Sequence, residues 1–135
     1  MTEKIKKAKG RFNYKSIKTF EDACKKLGID TTKLPDVSMI PAEFSKPIIA
    51  AYKLMIAYKA INDGWVPDWN NYSQYKYYPW FRVLSSGFGF SHAGYGYANS
   101  GTAVGSRLCT NTAVKALFIG KYFESEYKDY FLYSE

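Results

Sequence analysis

The chain predicts an α+β fold, with helices at either end of the sequence packed on a small antiparallel sheet of about three strands drawn from residues 72–109. Three observations carry that expectation. Apolar residues recur at helical spacing before Gly64 and after Thr110. Tyrosines, Trp80, Phe81, Val83 and Leu84 crowd the segment that begins at Tyr72, a composition suited to a strand. From Val83 to Ser106 the chain then runs for twenty-four residues without a Lys, Arg, Asp or Glu, and this stretch carries six of the ten glycines. With 135 residues, 47% of them apolar, a single domain can bury a core without disulfides or metal.

Thr19 to Gly28 reads as a short, complete helix. Thr19 caps the amide end, Glu21 and Asp22 sit at the positive pole, Lys25 and Lys26 at the negative one, and Gly28 ends it. Phe20, Ala23, Cys24 and Leu27 fall at i, i+3, i+4 and i+7, which assigns Cys24 to the core. After a connector with Pro35 and Pro41, Ser38 or Ser45 caps a second helix that tolerates Pro47 in its first turn and runs from Ile48 to Asn62. Its expected inner face is Ile48, Ala51, Tyr52, Met55 and Tyr58, widened by Ile49, Leu54, Ile56 and Ile61. Gly64 stops it, and Trp65 and Trp69 frame a rigid turn whose indoles pin a loop onto the core.

The first strand is expected through Tyr75, Tyr77, Tyr78, Trp80, Phe81, Val83 and Leu84, with Pro79 marking an edge position or a bulge. Two more follow around Gly87 to Tyr97 and Thr102 to Cys109, joined by a turn at Asn99-Ser-Gly101. Asn111 or Thr110 then caps a final helix of some twenty residues ending near Phe131, with Val114, Leu117, Phe118, Tyr122 and Tyr130 among its apolar positions.

Charge is segregated. Residues 1–18 hold seven basic side chains (Lys4, Lys6, Lys7, Lys9, Arg11, Lys15 and Lys18) against Glu3, while the rest of the chain is nearly balanced. The expected organisation is a basic flexible arm over residues 1–18 and one α+β domain over residues 19–135. Such an arm attracts polyanions, an attraction that weakens with salt; the alternative is a solvated tail that aids solubility. No apolar run reaches the length of a membrane span, and no apolar stretch follows the first lysines as in a signal peptide, so the expected location is the cytoplasm with no membrane partner. Cys24 and Cys109 are expected as reduced thiols.

Motifs of catalysis are wanting. Gly89-Phe-Ser-His-Ala-Gly94 is one residue too long for a nucleophile elbow, and Gly96 to Thr102 has P-loop glycine spacing without the lysine. One histidine and two distant cysteines do not make a zinc site, and His92 with Cys109 has no third group to orient it as a nucleophile–base pair. No catalytic residue, metal or cofactor is therefore expected. What remains is a glycine-rich segment bearing Phe88, Phe90, Tyr95 and Tyr97, which suits either a binding surface or a buried hairpin. The reading taken is a division, with Phe88 and Phe90 inward and Tyr95 and Tyr97 outward on the opposite face with His92. Only an irregularity between Phe90 and Tyr95 would put all four on one side.

Two resemblances bear on this segment. Trp80-Phe81 followed by Gly87-Phe-Gly-Phe90 resembles the W-F…G-F-G-F stretch of cold-shock domains, and Gly87 to Phe90 also resembles the centre of the RNP1 signature; in both families such rings stack on unpaired bases. The likeness spans about eleven residues, with one extra residue between the two halves and serines where a basic residue precedes the glycine. Over most of the chain, Ile17 to Ile29, Ala60 to Asn71, Tyr75 to Phe81 and Val104 to Cys109 look like a family of small uncharacterised proteins from bacteriophages and prophages of gut Bacteroidetes. That resemblance implies a phage origin and a host bacterial cytoplasmic or virion-associated location, with no catalytic residues.

The resulting expectation is a non-enzymatic binding protein for an anionic ligand, a single-stranded nucleic acid or a nucleotide. Tyr95, Tyr97, His92 and Asn99 would contact it, with Arg82 and Arg107 as countercharges and Lys4, Lys6, Lys7, Lys9 and Arg11 as the basic arm. The alternative is a protein- or glycan-interaction module or a virion accessory protein whose partner is another phage or host protein, met through a variable Tyr/Ser/Gly-rich loop.

Overall fold

The computed structural model describes residues 11–84, 87–96 and 107–133. The fold is α+β, with helices on one side of a small antiparallel sheet. A 3-10 turn at Tyr14–Ser16 leads to helix α1 (Phe20–Leu27); a second 3-10 turn at Ala42–Phe44 runs into helix α2 (Ser45–Asn62). Strands β1 (Lys76–Leu84) and β2 (Gly87–Gly96) form the hairpin, and helices α3 (Ala113–Tyr122) and α4 (Glu124–Phe131) close the fold. No helix among the described residues is long and apolar enough to cross a membrane.

Helix α1 forms as its sequence dictates. Thr19 and Asp22 exchange side-chain-to-backbone hydrogen bonds in a capping box, Gly28 takes the left-handed conformation that ends the helix (φ +68°), and Cys24 is fully buried. Helix α2 departs from expectation in two ways. Ser45 is its first residue and not its cap, because the preceding 3-10 turn delivers the chain already helical. Its buried face is Ala50, Leu54, Ala57, Tyr58 and Ile61, whereas Ile48 and Met55, expected inside, are exposed. Alanines let neighbouring backbones approach, so the helix turns its small residues inward. Asn62, the last residue of α2, is buried and donates through Nδ2 to the Cys109 carbonyl at 2.9 Å, tying the helix to the segment after the hairpin.

Of the expected arm, the residues that the structure describes from Phe12 onward are packed on the domain. Ile17 is buried in the core, Phe12 and Tyr14 pack against it, and the Tyr14 and Phe118 rings meet edge to face at 5.2 Å. Residues 12–18 therefore belong to the domain, since their apolar side chains override the surrounding positive charge. Lys4, Lys6, Lys7 and Lys9 lie outside the described residues; Arg11 is exposed.

At the other end, Thr112 and not Thr110 or Asn111 is the cap of α3, accepting from the Lys115 amide at 3.2 Å. Thr110 is committed elsewhere. Its amide and carbonyl pair with Tyr77 at 2.8 and 2.9 Å, so the segment expected as a third strand touches the sheet by this bridge. Residues 102–106 of that expected strand, and the turn expected at Asn99-Ser-Gly101, lie outside the described residues. The expected long C-terminal helix bends at Phe123, which separates α3 from α4 and buries its ring in the core. Val114 and Leu117 of α3 are exposed, and Ala116, Ile119 and Gly120 face inward.

Candidate ligand-binding surface

The hairpin register sets the faces. Tyr77 pairs with Tyr95, Tyr78 with Gly94, Pro79 with Ala93 and Trp80 with His92; beyond a shift at Trp80/Phe81, Phe81 pairs with Phe90, Arg82 with Gly89 and Val83 with Phe88. The shift leaves Ser91 as the extra residue of a bulge. Partners directly opposite share a face, so Pro79, Phe81, Val83, Phe88 and Phe90 form the inner side and Tyr78, Trp80, Arg82, Gly89 and Gly94 the outer one; the side chain of His92, an expected contact, lies outside what the structure describes.

The inner side meets the helices. The Phe81 ring packs on Tyr127 at 4.5 Å and stacks on Phe88 at 5.1 Å. Phe90 and Pro79 lie so close to Gly120 of α3 that a β-carbon there would collide with both. The Phe90 amide, turned away from β1 at the bulge, donates to the Glu124 carboxylate at 3.3 Å.

Phe88 and Phe90 thus point inward as the sequence predicts, but the expectation that Tyr95 lies on the opposite face is overturned. The bulge adds one residue between Phe90 and Tyr95 and brings Tyr95 back to the face of the phenylalanines. Tyr95 is nonetheless 53% exposed. It lies toward the far end of the hairpin, where its ring stacks on Tyr75 at 4.9 Å and leans on Tyr77 at 6.0 Å. Of the other expected contacts, Arg82 is exposed on the outer face with Trp80, and Arg107 is exposed three residues before the Thr110 bridge to Tyr77. Tyr97 and Asn99 lie outside the described residues.

Two features escaped the sequence reading. Trp80 is 49% exposed in a row with Tyr78 and Arg82; the i, i+2, i+4 spacing was the available signal. The Tyr78 ring reaches across to Gly94, where an added β-carbon would come within 2.8 Å of its Cε2. Lys76 is the other: only 1% exposed, it donates to the Asn71 carbonyl at 2.9 Å and lies 5.2 Å from the Trp69 ring. No pattern in the sequence marks a lysine for burial. Burial pushes the Cys109 thiol up to about 11, against the opposing pull of the Lys76 charge, so the thiol is protonated at neutral pH. Among the described residues no cluster of His, Cys, Asp and Glu could hold a metal ion.

An apolar groove of about 310 Å³ runs beside β1, lined by Tyr78, Pro79, Trp80, Phe81 and Val83 from the strand and by Tyr127 and Phe131 from α4. Comparison with protein-family models, with curated proteins and with solved structures finds no match to this chain.

Proposed function

We propose that this chain is a non-enzymatic binding protein for a single-stranded nucleic acid or a nucleotide, held on the ring-bearing hairpin. The observation that carries this reading is the row of half-buried Tyr78 and exposed Trp80 and Arg82 on one face of β1, with the Tyr75–Tyr95 stack at the far end of the hairpin. Flat rings with an exposed face admit a stacked base, and arginine answers the phosphate. The net charge of +7 favours an anionic partner, and the four lysines before Arg11 add attraction that salt screens. The resemblance to a phage protein family supports an infected bacterial cell as the setting of this activity.

The test is fluorescence anisotropy of a labelled single-stranded oligonucleotide at low and moderate salt. Binding should fall steeply with salt and weaken in Arg82→Ala and Tyr95→Ala. Salt-independent binding, or none at low salt, would remove the reading.

A second reading rests on a different surface. Phe44, Ile48 and Met55 are exposed at helical spacing along α2 and the turn before it, and Met39 is nearly fully exposed. That apolar row favours a protein-interaction module, and charge substitutions along it would impair partner capture without touching oligonucleotide binding.

A further inference from the structure

We propose that the groove between β1 and α4 is a subsite for one unpaired nucleobase, a statement that rests on the nucleic-acid or nucleotide reading above and assigns that ligand a seat. Five of its seven lining residues are aromatic: Tyr78, Trp80, Phe81, Tyr127 and Phe131. Its volume of about 310 Å³ is suited to one flat ring system and falls at the small end of small-molecule sites. The walls are packed. Phe81, Tyr127 and Phe131 pack on one another with centroids 4.5 to 6.0 Å apart, and the Tyr127 hydroxyl is anchored by that of Tyr58.

The strand supplies polar groups of the right kind. Tyr77 turns its amide and carbonyl away from β2 to meet Thr110, so the alternation of an antiparallel strand turns those of Phe81 and Val83 to the same edge, beside the groove. A main-chain donor and acceptor next to stacked rings can read the hydrogen-bonding edge of a base. Two exposed cations lie on the same elements: Arg82 on the β1 face of Trp80, and Lys128 in α4. A peptide strand added to this edge is the competing occupant, and two features disfavour it. Pro79 offers no amide to a ladder, and the bulge at Trp80/Phe81 bends the hairpin where pairing would continue.

The test uses the full chain with three probes: an uncharged nucleoside, the matching nucleoside monophosphate, and a labelled thymidine hexamer. Backbone amide shifts are followed by NMR for the first two and anisotropy for the third. Nucleoside and monophosphate should move the Phe81 and Val83 amides. Val83→Trp, which fills the groove from an exposed position, should abolish those shifts and weaken hexamer binding by about tenfold or more, the loss expected for one stacked base. Its salt slope and melting temperature should stay as in the wild type. If Val83→Trp unfolds the chain, Val83→Lys replaces it, with the same loss of nucleoside shifts expected. Hexamer binding that is unchanged in the groove variant would overturn the subsite while leaving the nucleic-acid reading intact. Monophosphate binding without hexamer binding would support the subsite and assign it to free nucleotide. Failure of every nucleoside probe to move the groove amides, with shifts caused instead by an extended apolar peptide, would overturn the subsite in favour of strand addition.

Discussion

Gly120 shows how far a single missing carbon governs this fold. The inner face of the hairpin can approach α3 only because no side chain stands between Gly120 and the Phe90 ring. Gly120→Ala gains about 1 kcal/mol in helix propensity, but overpacking a tight contact costs roughly 1 to 3 kcal/mol, so net destabilisation is expected in a denaturant titration. The buried hydroxyl pair of Tyr58 and Tyr127 makes a second case at this scale. Removing one hydroxyl strands the other without water, so Tyr58→Phe and Tyr127→Phe should each cost about 1 to 3 kcal/mol. The double variant should cost less than the two together, as a double-mutant cycle will show. Burial also holds both phenols well above the ordinary tyrosine value of 10. Because the folded state resists ionisation that the unfolded state allows, the stability contribution is whole below that value and is lost progressively as pH rises above it. Alkaline denaturation of the wild type should be relieved in the double phenylalanine variant. Cys109 adds to the same trend from its ordinary value of 9 upward, and native protein should resist thiol reagents at neutral pH.

Among the elements, the N-terminal segment and the hairpin answer different questions. Deleting residues 1–10 removes Lys4, Lys6, Lys7 and Lys9 and should leave the melting transition in place while lowering oligonucleotide affinity at low salt. Deleting through residue 18 also removes Phe12, Tyr14 and Ile17, and a large loss of stability is expected, since emptying one core aliphatic site costs about 2 to 5 kcal/mol. Equal melting temperatures for the two deletions would show that the 3-10 turn is not part of the core. In the hairpin, Phe88→Ala and Phe90→Ala should cost about 3 kcal/mol each, the lower end for aromatic truncation because both rings are half-buried. Tyr95→Ala should cost under about 1.5 kcal/mol, the worth of its ring contacts, and take most of its effect in binding.

For the molecule as a whole, the balance lies between a nearly neutral body and the cationic residues gathered before residue 18. Binding that depends on these charges should lose affinity with rising salt, and deletion of residues 1–10 should flatten that dependence. The ring contacts, which salt screens little, should set the residual affinity. A salt series on wild type, the deletion and Tyr95→Ala separates the two contributions. If the deletion changes nothing at low salt, those lysines serve solubility.

Local chemistry determined much of this protein from sequence alone. The capping box at Thr19, the left-handed Gly28, the buried Cys24 and the strand through Trp80 and Phe81 each depend on residues within a few positions of one another, and short-range patterns state them in full. Tertiary structure decided what depends on distant partners. The α2 face that goes inward was set by which side chains let α1 and α4 come close, so Ala50 and Ala57 won over Ile48 and Met55. One bulge residue, Ser91, reversed the assignment of Tyr95, because strand alternation carries a single insertion forward to every later side chain. The groove joins β1 to residues of α4 more than forty positions away, and no periodicity in either element announces the other. Lys76 is buried by a loop carbonyl and an indole that only the folded chain brings beside it.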